Sequence, residues 1–540
     1  MKQSFSGRMA ALSLFSLALW CAPTPVAAQL TDHTQVDPID AVNAPGGAIG
    51  NSLTEQIGAG HGDGNTPGSA VYLIKRDPAR SIRRGRQLFQ RKFSAEQGLG
   101  PRVNPASTGD ITEQRALGAG LTDSCATCHG RPRGAAGFGG DVATRPDSRD
   151  APHLFGLGLV EQLADEMTRD LRRQRNRALQ RAKSTQRTVT RRLSSKSVSF
   201  GVITARPDGA LDTSRLEGID QDLRVRPFFA EGRIASIREF IVGAFKDEMG
   251  LEAPDAVLCR ATDPATAQRV VSPAGFVFDS KRDVIERPPV CDTNDDPDGD
   301  NVFNEIDTAV IDHLEFYLLN YFKPGEYQPT ARSRRGRALL DEIKCTTCHV
   351  PAMTVEADRR VADVETAYDP RRGIFNELFA TATTRFRAVP DHDTFPKLLP
   401  ERGAFPVENF FSDLKRHDLG PAFHERDYDG TLVTEFVTEP LWGVGTTAPY
   451  GHDGRSINLD QVIRRHGGEA QASRDAYVRL SRNDQRKIQE FLHTLVLFPP
   501  DDTASNLNPG SPGTDNPQDP AEHGSINLGA LFRIAAEGPE

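Results

Sequence analysis

The sequence lacks long apolar runs beyond its first segment. After residue 28, no stretch approaches the roughly 18 consecutive apolar residues that suggest a membrane-spanning helix. It also lacks an excess of positive charge, because the net charge is −9 and the isoelectric point is near 5.9. These two deficits argue against a nucleic acid partner and against any membrane span once the first segment has been removed.

The first segment has the pattern of a secretory signal peptide. Lys2 and Arg8 form a basic start, residues 9–19 form a short apolar run, and the small residues 26–28 suit a cleavage site. We therefore expect export, which predicts a periplasmic or secreted protein. The remaining length allows several domains with an ample core.

Cysteine is scarce, and six of the seven cysteines lie outside that segment. Four of them belong to two C-x-x-C-H motifs, which are Cys125, Cys128 and His129, and then Cys345, Cys348 and His349. In the attachment signature of a c-type haem, the thiols form thioethers with the haem and the following imidazole binds the iron. A redox dithiol or half a zinc site is the alternative, but two motifs in an exported chain predict two covalently bound haem c groups. His129 and His349 are the predicted proximal iron ligands.

The two remaining cysteines are Cys259 and Cys291. In an oxidising compartment they are predicted to form a disulfide, with two free thiols as the alternative. Such a bond closes a loop of about thirty residues, which contributes roughly 3–4 kcal/mol to stability in the chain-entropy model.

A short internal repeat precedes both haem motifs. Residues 80–89 (RSIRRGRQLF) are echoed by residues 332–340 (RSRRGRALL). We interpret the echo as two cytochrome c-like folds, each opening with a helix that packs near its own haem. The predicted fold class is mainly α, with two cytochrome c-like haem domains, long loops and a small β-hairpin insertion.

Apolar periodicity and turn residues predict the individual elements. Helices are expected at residues 80–93, 160–193, 234–249, 308–321 and 483–497, and the strands of a hairpin at residues 198–205 and 211–223. The predicted divisions are a signal peptide (1–28), an N-terminal arm (29–79), an N-terminal cytochrome c domain (80–290), a calcium-type loop (291–307), a C-terminal cytochrome c domain (308–498) and a tail (499–540).

The predicted helix at residues 160–193 is strongly basic. It holds nine Lys or Arg residues between Arg172 and Arg192. One interpretation is a solvated helix face, and the other is a docking patch for an acidic electron donor.

The calcium-type loop lies between the two predicted haem domains. Its ligand pattern has carboxylates at positions 1, 3, 5 and 12, a backbone carbonyl at position 7 and an amide at position 9. These ligands are Asp296, Asp298, Asp300, Asp307, the carbonyl of Val302, and Asn304. Asn301 stands at position 6, where the left-handed backbone conformation that Asn tolerates is needed. The alternative is an acidic surface turn without calcium.

Several longer motifs carry a family resemblance. They are residues 97–101 (QGLGP), 154–159 (LFGLGL), 226–232 (RPFFAEG), 441–445 (LWGVG), 448–455 (APYGHDGR) and 466–470 (HGGEA). With these motifs the chain resembles the di-haem cytochrome c peroxidase superfamily over about residues 80–498, and especially its longer branch of di-haem oxidoreductases.

The resemblance implies different roles for the two haems. The C-terminal haem is expected to be six-coordinate and to relay electrons, whereas the N-terminal haem meets peroxide or oxygen. In bacterial di-haem peroxidases the distal ligand of the C-terminal haem follows the His of the His-Asp-Gly turn by fourteen residues, which is His466 here. Those enzymes typically have Met, so a His349 and His466 pair predicts a lower potential. His452 is the alternative ligand, or a hydrogen-bonding residue of the turn or of a haem propionate.

The N-terminal haem requires a group that moves a proton during peroxide cleavage. Glu161 is one candidate for this role, although a Glu early in a helix also complements the helix dipole. His153 is a candidate as a reversible distal ligand. Trp442, the one tryptophan beyond the first segment, is either an electron relay between the haems or a core residue.

The expected function is reduction of hydrogen peroxide, with electrons from a small periplasmic cytochrome or cupredoxin. A second expectation is oxidation or oxygenation of an organic or protein substrate with peroxide or dioxygen, in the manner of MauG or of the rubber oxygenase RoxA. The third is a non-catalytic electron-transfer cytochrome in which each iron is bound by two protein ligands and has no open coordination position.

Overall fold

The computed structural model describes most of the chain between residues 53 and 497. The described residues are 53, 57–91, 93, 124–129, 151–263, 265, 269–288, 290–291, 305–321, 323–368, 378–391, 396–426 and 430–497. The predicted signal peptide, the motif at residues 97–101, most of the calcium-type loop and the tail lie outside them. Among the described residues, no helix has both the length and the apolar character needed to cross a membrane.

Helices form the framework of the described chain. They are α1 (Ala70–Arg76), α2 (Pro78–Gln90), α3 (Cys125–Cys128), α4 (Leu157–Thr185), α5 (Ile237–Asp247), α6 (Ala256–Thr262), α7 (Thr308–Leu319), α8 (Ala331–Glu342), α9 (Leu459–Arg465), α10 (Gln471–Arg479) and α11 (Arg482–Leu492). Single 3₁₀ turns occupy Cys345–Thr347, Val444–Thr446 and Gly468–Ala470. The helix starts follow local rules, because Asp77 caps α2 ahead of Pro78 and Ser481 caps α11.

The strands are short and antiparallel. They are β1 (Val189–Ser195), β2 (Val198–Ala205), β3 (Leu211–Leu216), β4 (Arg269–Val271), β5 (Val277–Asp279), β6 (Gly325–Glu326), β7 (Met353–Val355), β8 (Ala362–Tyr368), β9 (Leu378–Thr384), β10 (Phe386–Val389), β11 (Lys397–Pro400), β12 (Phe405–Val407), β13 (Arg416–His417), β14 (Glu425–Arg426), β15 (Leu432–Val433), β16 (Phe436–Val437) and β17 (Leu495–Val496). One three-stranded sheet has the order β1-β2-β3, and the other sheets are the pairs β4–β5, β6–β17, β7–β12, β8–β9, β10–β11, β13–β16 and β14–β15.

Two pairs of helices cross in the same way, since α2 packs on α7 and α8 packs on α11. Gly85 and Gly336 occupy corresponding positions of the internal repeat, and each lies at one crossing. A Cβ at Gly85 would fall 2.2 Å from the carbonyl oxygen of His313, and a Cβ at Gly336 would fall 1.9 Å from that of Lys487. The backbones approach too closely for any side chain, so the repeat in the sequence corresponds to two equivalent helix crossings.

Two hydrophobic clusters form the core. The larger one joins α2, α4, α5 and α7 and also includes Trp442 and Leu497 from the C-terminal part. The smaller one is built from α8, α9, α10 and α11 together with Phe411 and Tyr450. The disulfide predicted between Cys259 and Cys291 is confirmed, and it ties the middle of α6 to the first residue of the calcium-type loop.

Three predicted elements are corrected. The helix predicted at residues 160–193 ends at Thr185, because Gln186 has a left-handed φ of 50° and the β-branched residues 188–190 lead into β1. The predicted hairpin is therefore a three-stranded sheet, and its last strand stops at Leu216 ahead of Gly218, whose φ is 60°. The helix predicted at residues 483–497 ends at Leu492, because Leu495 and Val496 pair with β6 instead.

Candidate functional site

The first C-x-x-C-H motif forms one short helix. Ser124 accepts a hydrogen bond from the backbone N–H of Ala126, and the N–H of His129 donates to the carbonyl of Cys125 at 2.9 Å. The His129 ring donates from Nδ1 to the carbonyl oxygen of Pro152 at 2.7 Å. This bond fixes the tautomer and leaves Nε2 as the nitrogen that can bind a metal.

The second motif repeats this geometry in a 3₁₀ turn. The backbone N–H of His349 donates to the carbonyl of Cys345 at 3.0 Å, and its ring Nδ1 donates to the carbonyl of Phe411 at 2.9 Å. Burial lowers the pKa of His129 to about 4 and also lowers the pKa of His349. Both imidazoles are therefore neutral near pH 7, which is the form that binds a metal.

A third imidazole with the same arrangement is His466, at the end of α9. Its Nδ1 donates to the carbonyl of Val462 at 2.7 Å, and burial lowers its pKa to about 4. His349 lowers this pKa further through its charge, so the two imidazoles are electrostatic neighbours. The structure thus brings together the two residues predicted to bind the C-terminal iron.

His153 occupies the corresponding neighbourhood of the first motif. Burial lowers its pKa to about 4, a hydrogen bond to the backbone of Trp442 opposes this, and His129 acts on it electrostatically. The buried Nδ1 of His153 has no hydrogen-bond partner among the described residues. A buried nitrogen without a partner is costly, and a ligand or metal would relieve that cost.

One cavity of about 1590 Å³ is lined by both motifs, together with His153, Trp442, His452 and His466. It exceeds the about 300–1,000 Å³ that is usual for a pocket holding one ligand. Its walls are largely apolar, and they include Phe155, Phe228, Phe240, Leu340, Phe423 and Phe436. The cavity, the paired cysteines and the neutral imidazoles fit two haem groups.

Trp442 lines the cavity and contacts residues from both the N-terminal and the C-terminal part of the chain. Its ring meets Phe410 edge to face at 5.0 Å between centroids, and a Cβ at Gly156 would lie 2.5 Å from the ring. Gly156 precedes α4 and has a φ of 74°. The buried indole therefore packs between Gly156 and Phe410. This position is compatible with both predicted roles, an electron relay or a core residue.

Glu161 does not line the cavity. Its carboxylate accepts the backbone N–H of Ile237 at 2.7 Å and pairs with Arg359, and burial raises its pKa to about 7. Glu166, one turn further along α4, accepts the N–H groups of residues 356 and 357. These contacts hold the segment after the second motif against α4. Glu161 is therefore not placed to exchange a proton with a molecule in the cavity.

His452 and His466 both contact Phe423, with ring centroids 5.8 and 5.4 Å from it. The ring of His452 stacks on Phe436 with 3.8 Å between centroids, and its Nε2 is 3.1 Å from a carboxylate oxygen of Glu425. This placement favours a structural role in the turn over iron ligation.

The predicted calcium ligands lie outside the described residues, except for Asp307. The Asp307 carboxylate accepts the N–H of Ala309 at 2.7 Å and caps α7. Calcium binding by this loop stays a prediction.

Six carboxylates of the cavity wall were not predicted from the sequence: Glu239, Asp247, Glu248, Glu286, Glu439 and Glu469. Glu239 on α5 is buried, and burial raises its pKa to about 7 although Ser236 donates a hydrogen bond to it. Glu248 follows directly after α5 and also lines the cavity. The spacing of Ser236 and Glu239 is a capping signal, which identifies a helix start but not a cavity group.

His417 also lines the cavity without having been predicted. Its Nε2 and Nδ1 lie 2.8 Å from carboxylate oxygens of Asp413 and Glu469. Burial lowers its pKa, but hydrogen bonds to Asp413 and Cys348 outweigh this and raise the pKa to about 11. A cation therefore stands beside the second motif.

The family comparison supports a di-haem oxidoreductase. Residues 400–495 match the family model described as "Di-haem oxidoreductase, putative peroxidase", which confirms the resemblance to the di-haem cytochrome c peroxidase superfamily. No curated protein matches the chain.

Two solved structures show limited similarity. One is a MauG-like protein associated with microbial copper homeostasis, at 14% identity over 53% of this chain and 75% of that chain, with a TM-score of 0.22. The other is the hydrazine synthase of Kuenenia stuttgartiensis under xenon pressure, at 16% identity over 35% of this chain and 55% of that chain, with a TM-score of 0.21. At these TM-scores neither structure adds to the argument.

Proposed function

We propose that the protein is an exported di-haem c-type oxidoreductase that reduces hydrogen peroxide at the N-terminal haem. A small electron donor supplies two electrons, which the C-terminal haem relays, and two protons complete the conversion of peroxide into two water molecules. The observation that carries the proposal is the single cavity lined by both C-x-x-C-H motifs, with a third imidazole, His466, beside His349.

The chain would hold each haem in the same way. The paired cysteines form the covalent attachment, and His129 and His349 each offer Nε2 while a backbone carbonyl holds Nδ1. When bound, the haem groups supply the redox-active iron. The apolar walls, of which Trp442 is part, exclude water.

The proton that peroxide cleavage requires is proposed to be held by a carboxylate of the cavity wall. Glu239 on α5 and Glu248 directly after it line the cavity, whereas Glu161 is engaged outside it. A carboxyl group whose pKa is near 7, as burial makes that of Glu239, can both accept and return a proton at neutral pH.

One observation favours a second function, a pure electron carrier. His153 lies beside His129, and its buried Nδ1 lacks a hydrogen-bond partner among the described residues. It is therefore placed to bind the first iron as a second protein ligand. If His153 stayed bound, peroxide could not reach the first iron. If His153 bound reversibly, it would regulate the access of peroxide to that iron.

Electron paramagnetic resonance of the oxidised and half-reduced protein, before and after peroxide is added, distinguishes these functions. We expect one low-spin signal with two imidazole ligands, and one signal from the N-terminal haem that peroxide abolishes in at least one redox state. Consumption of peroxide should follow the oxidation of an added reductant. Two low-spin signals that peroxide leaves unchanged in both redox states would instead establish an electron carrier.

A further inference from the structure

An arm of the molecule carries a large excess of positive charge. The arm consists of residues 171–216, which form most of α4 and the sheet β1-β2-β3, and we call it the basic arm. It contains twelve Lys or Arg residues and two Asp residues, a net charge of +10, in a chain whose total is −9. The remainder of the chain is therefore strongly acidic, and the charge separation is pronounced.

The cations at the base of the arm have partners inside the protein. Arg172 pairs with Asp283 at 2.6 Å, and Lys196 pairs with Glu166 at 2.7 Å. Seven further cations are exposed and form no ion pair with any described residue: Arg177, Arg181, Lys183, Arg187, Arg191, Arg192 and Arg206. Internal pairing therefore explains only part of the charge.

The spacing of the exposed cations places like charges side by side. Arg173, Arg177 and Arg181 follow one another at intervals of four along α4, and like charges at that spacing repel. On the sheet, Arg192 and Arg215 pair with the same residue of β2, Val202, from opposite sides. Such an arrangement destabilises the free arm and becomes favourable only against a surface of negative charge.

The position of the basic arm disfavours docking of an electron donor. Leu157 and Val160, in the first turn of α4, line the cavity, whereas the exposed cations of the basic arm begin at Arg173. At 1.5 Å per residue, they lie about 24 Å or more along the helix from that end. A redox partner bound there would stay remote from the cavity, although electron transfer requires the two redox centres to be close.

The surface of the arm is ionic and not apolar. The exposed large hydrophobic side chains among the described residues all lie elsewhere: Phe229, Val271, Val284, Leu432, Ile457 and Val478. The arm therefore has no side chain suited to insertion into a hydrocarbon layer. Its guanidinium groups have the planar, forked geometry that binds phosphate oxygens.

We propose that the basic arm binds the phosphate headgroups of an anionic phospholipid bilayer, and so holds the protein at a membrane surface without entering it. Clusters of four to eight Lys or Arg residues bind anionic lipid in this way, and the arm exposes seven such residues that form no ion pair within the described part of the chain. The anionic surface repels the negative charge of the rest of the chain. This repulsion orients the molecule with the basic arm toward the membrane.

Sedimentation of the haem-loaded full chain with lipid vesicles tests this proposal. We expect binding to vesicles that contain phosphatidylglycerol, none to vesicles of pure phosphatidylcholine, and release in about 0.5 M salt because screening removes ionic contacts. The quadruple variant R177Q/R181Q/R187Q/R191Q should bind more than about tenfold more weakly. Its turnover with a small soluble reductant should stay unchanged.

A matched variant, R334Q/R479Q/R482Q/R486Q, removes the same charge from exposed positions outside the arm. It should bind the anionic vesicles like the unmodified protein. Equal loss of binding in both variants would overturn the proposal, because the effect would then follow net charge alone. Failure to bind anionic vesicles at low salt, combined with a raised KM for a protein donor in the arm variant, would overturn it in favour of protein docking.

Discussion

Replacing His466 with glycine should convert the C-terminal haem from low spin to high spin and lower peroxide turnover by roughly 100-fold or more. The reason is the geometry of one ring. The carbonyl of Val462 holds Nδ1 of His466 at 2.7 Å, so Nε2 would be the nitrogen that binds the iron. Without this ligand the iron has an open position, and the electron relay loses its fixed coordination. Optical and paramagnetic resonance spectra of the variant measure the spin state directly.

The control for this prediction is His452→Ala. His452 also lines the cavity, but it stacks on Phe436 and lies beside Glu425. Its removal should leave the low-spin signal intact. Free imidazole added to the His466→Gly variant should restore that signal, because it can occupy the space of the missing ring. Loss of the low-spin signal in the His452 variant alone would show that His452, and not His466, is the second ligand.

The second large effect is expected for the carboxylates of the cavity wall. In one of the two variants, Glu239→Gln or Glu248→Gln, peroxide turnover should fall by about 10²- to 10⁴-fold while both haem spectra are retained. A glutamine has nearly the shape of glutamate but cannot take up the proton. Glu161→Gln is the matched control, because Glu161 lies off the cavity and should leave turnover nearly unchanged.

The pH profile identifies which carboxylate acts. A base must be ionised before it accepts a proton, and burial raises the pKa of Glu239 to about 7. If Glu239 is the base, turnover should therefore rise with pH through about 7, and this rise should disappear in the Glu239→Gln variant. Full activity in both glutamine variants would place proton transfer elsewhere.

The parts of the fold that could be predicted from sequence are those encoded locally. The repeated Arg-Arg-Gly-Arg sequence predicted two equivalent helices, and Gly85 and Gly336 show why glycine is needed at both crossings. The neighbouring positions of His349 and His466 followed from the family spacing. Cysteine counting was sufficient for the disulfide, because only one pair remained once the two motifs were assigned.

The features that sequence analysis missed depend on distant contacts. The short strands between residues 353 and 437 have little periodicity, and two of their pairs, β7–β12 and β13–β16, join strands that are not adjacent along the chain. Glu239 is indistinguishable in sequence from a helix-capping residue, and only the packing of α5 places it at the cavity wall. Glu161 shows the opposite case, since its position in the chain suggested chemistry whereas its backbone and Arg359 contacts hold two segments together.

The two helix crossings differ in how each is joined to its motif. Two residues separate α8 from Cys345, whereas 34 residues separate α2 from Cys125. By loop-closure entropy alone, bringing the first motif to its helix costs about 2.5 kcal/mol more. The second motif therefore has the shorter search for its helix and should pack against it earlier, although it is synthesised later. Assembly would then proceed backward along the chain, with the second haem region providing the surface on which the first one is completed.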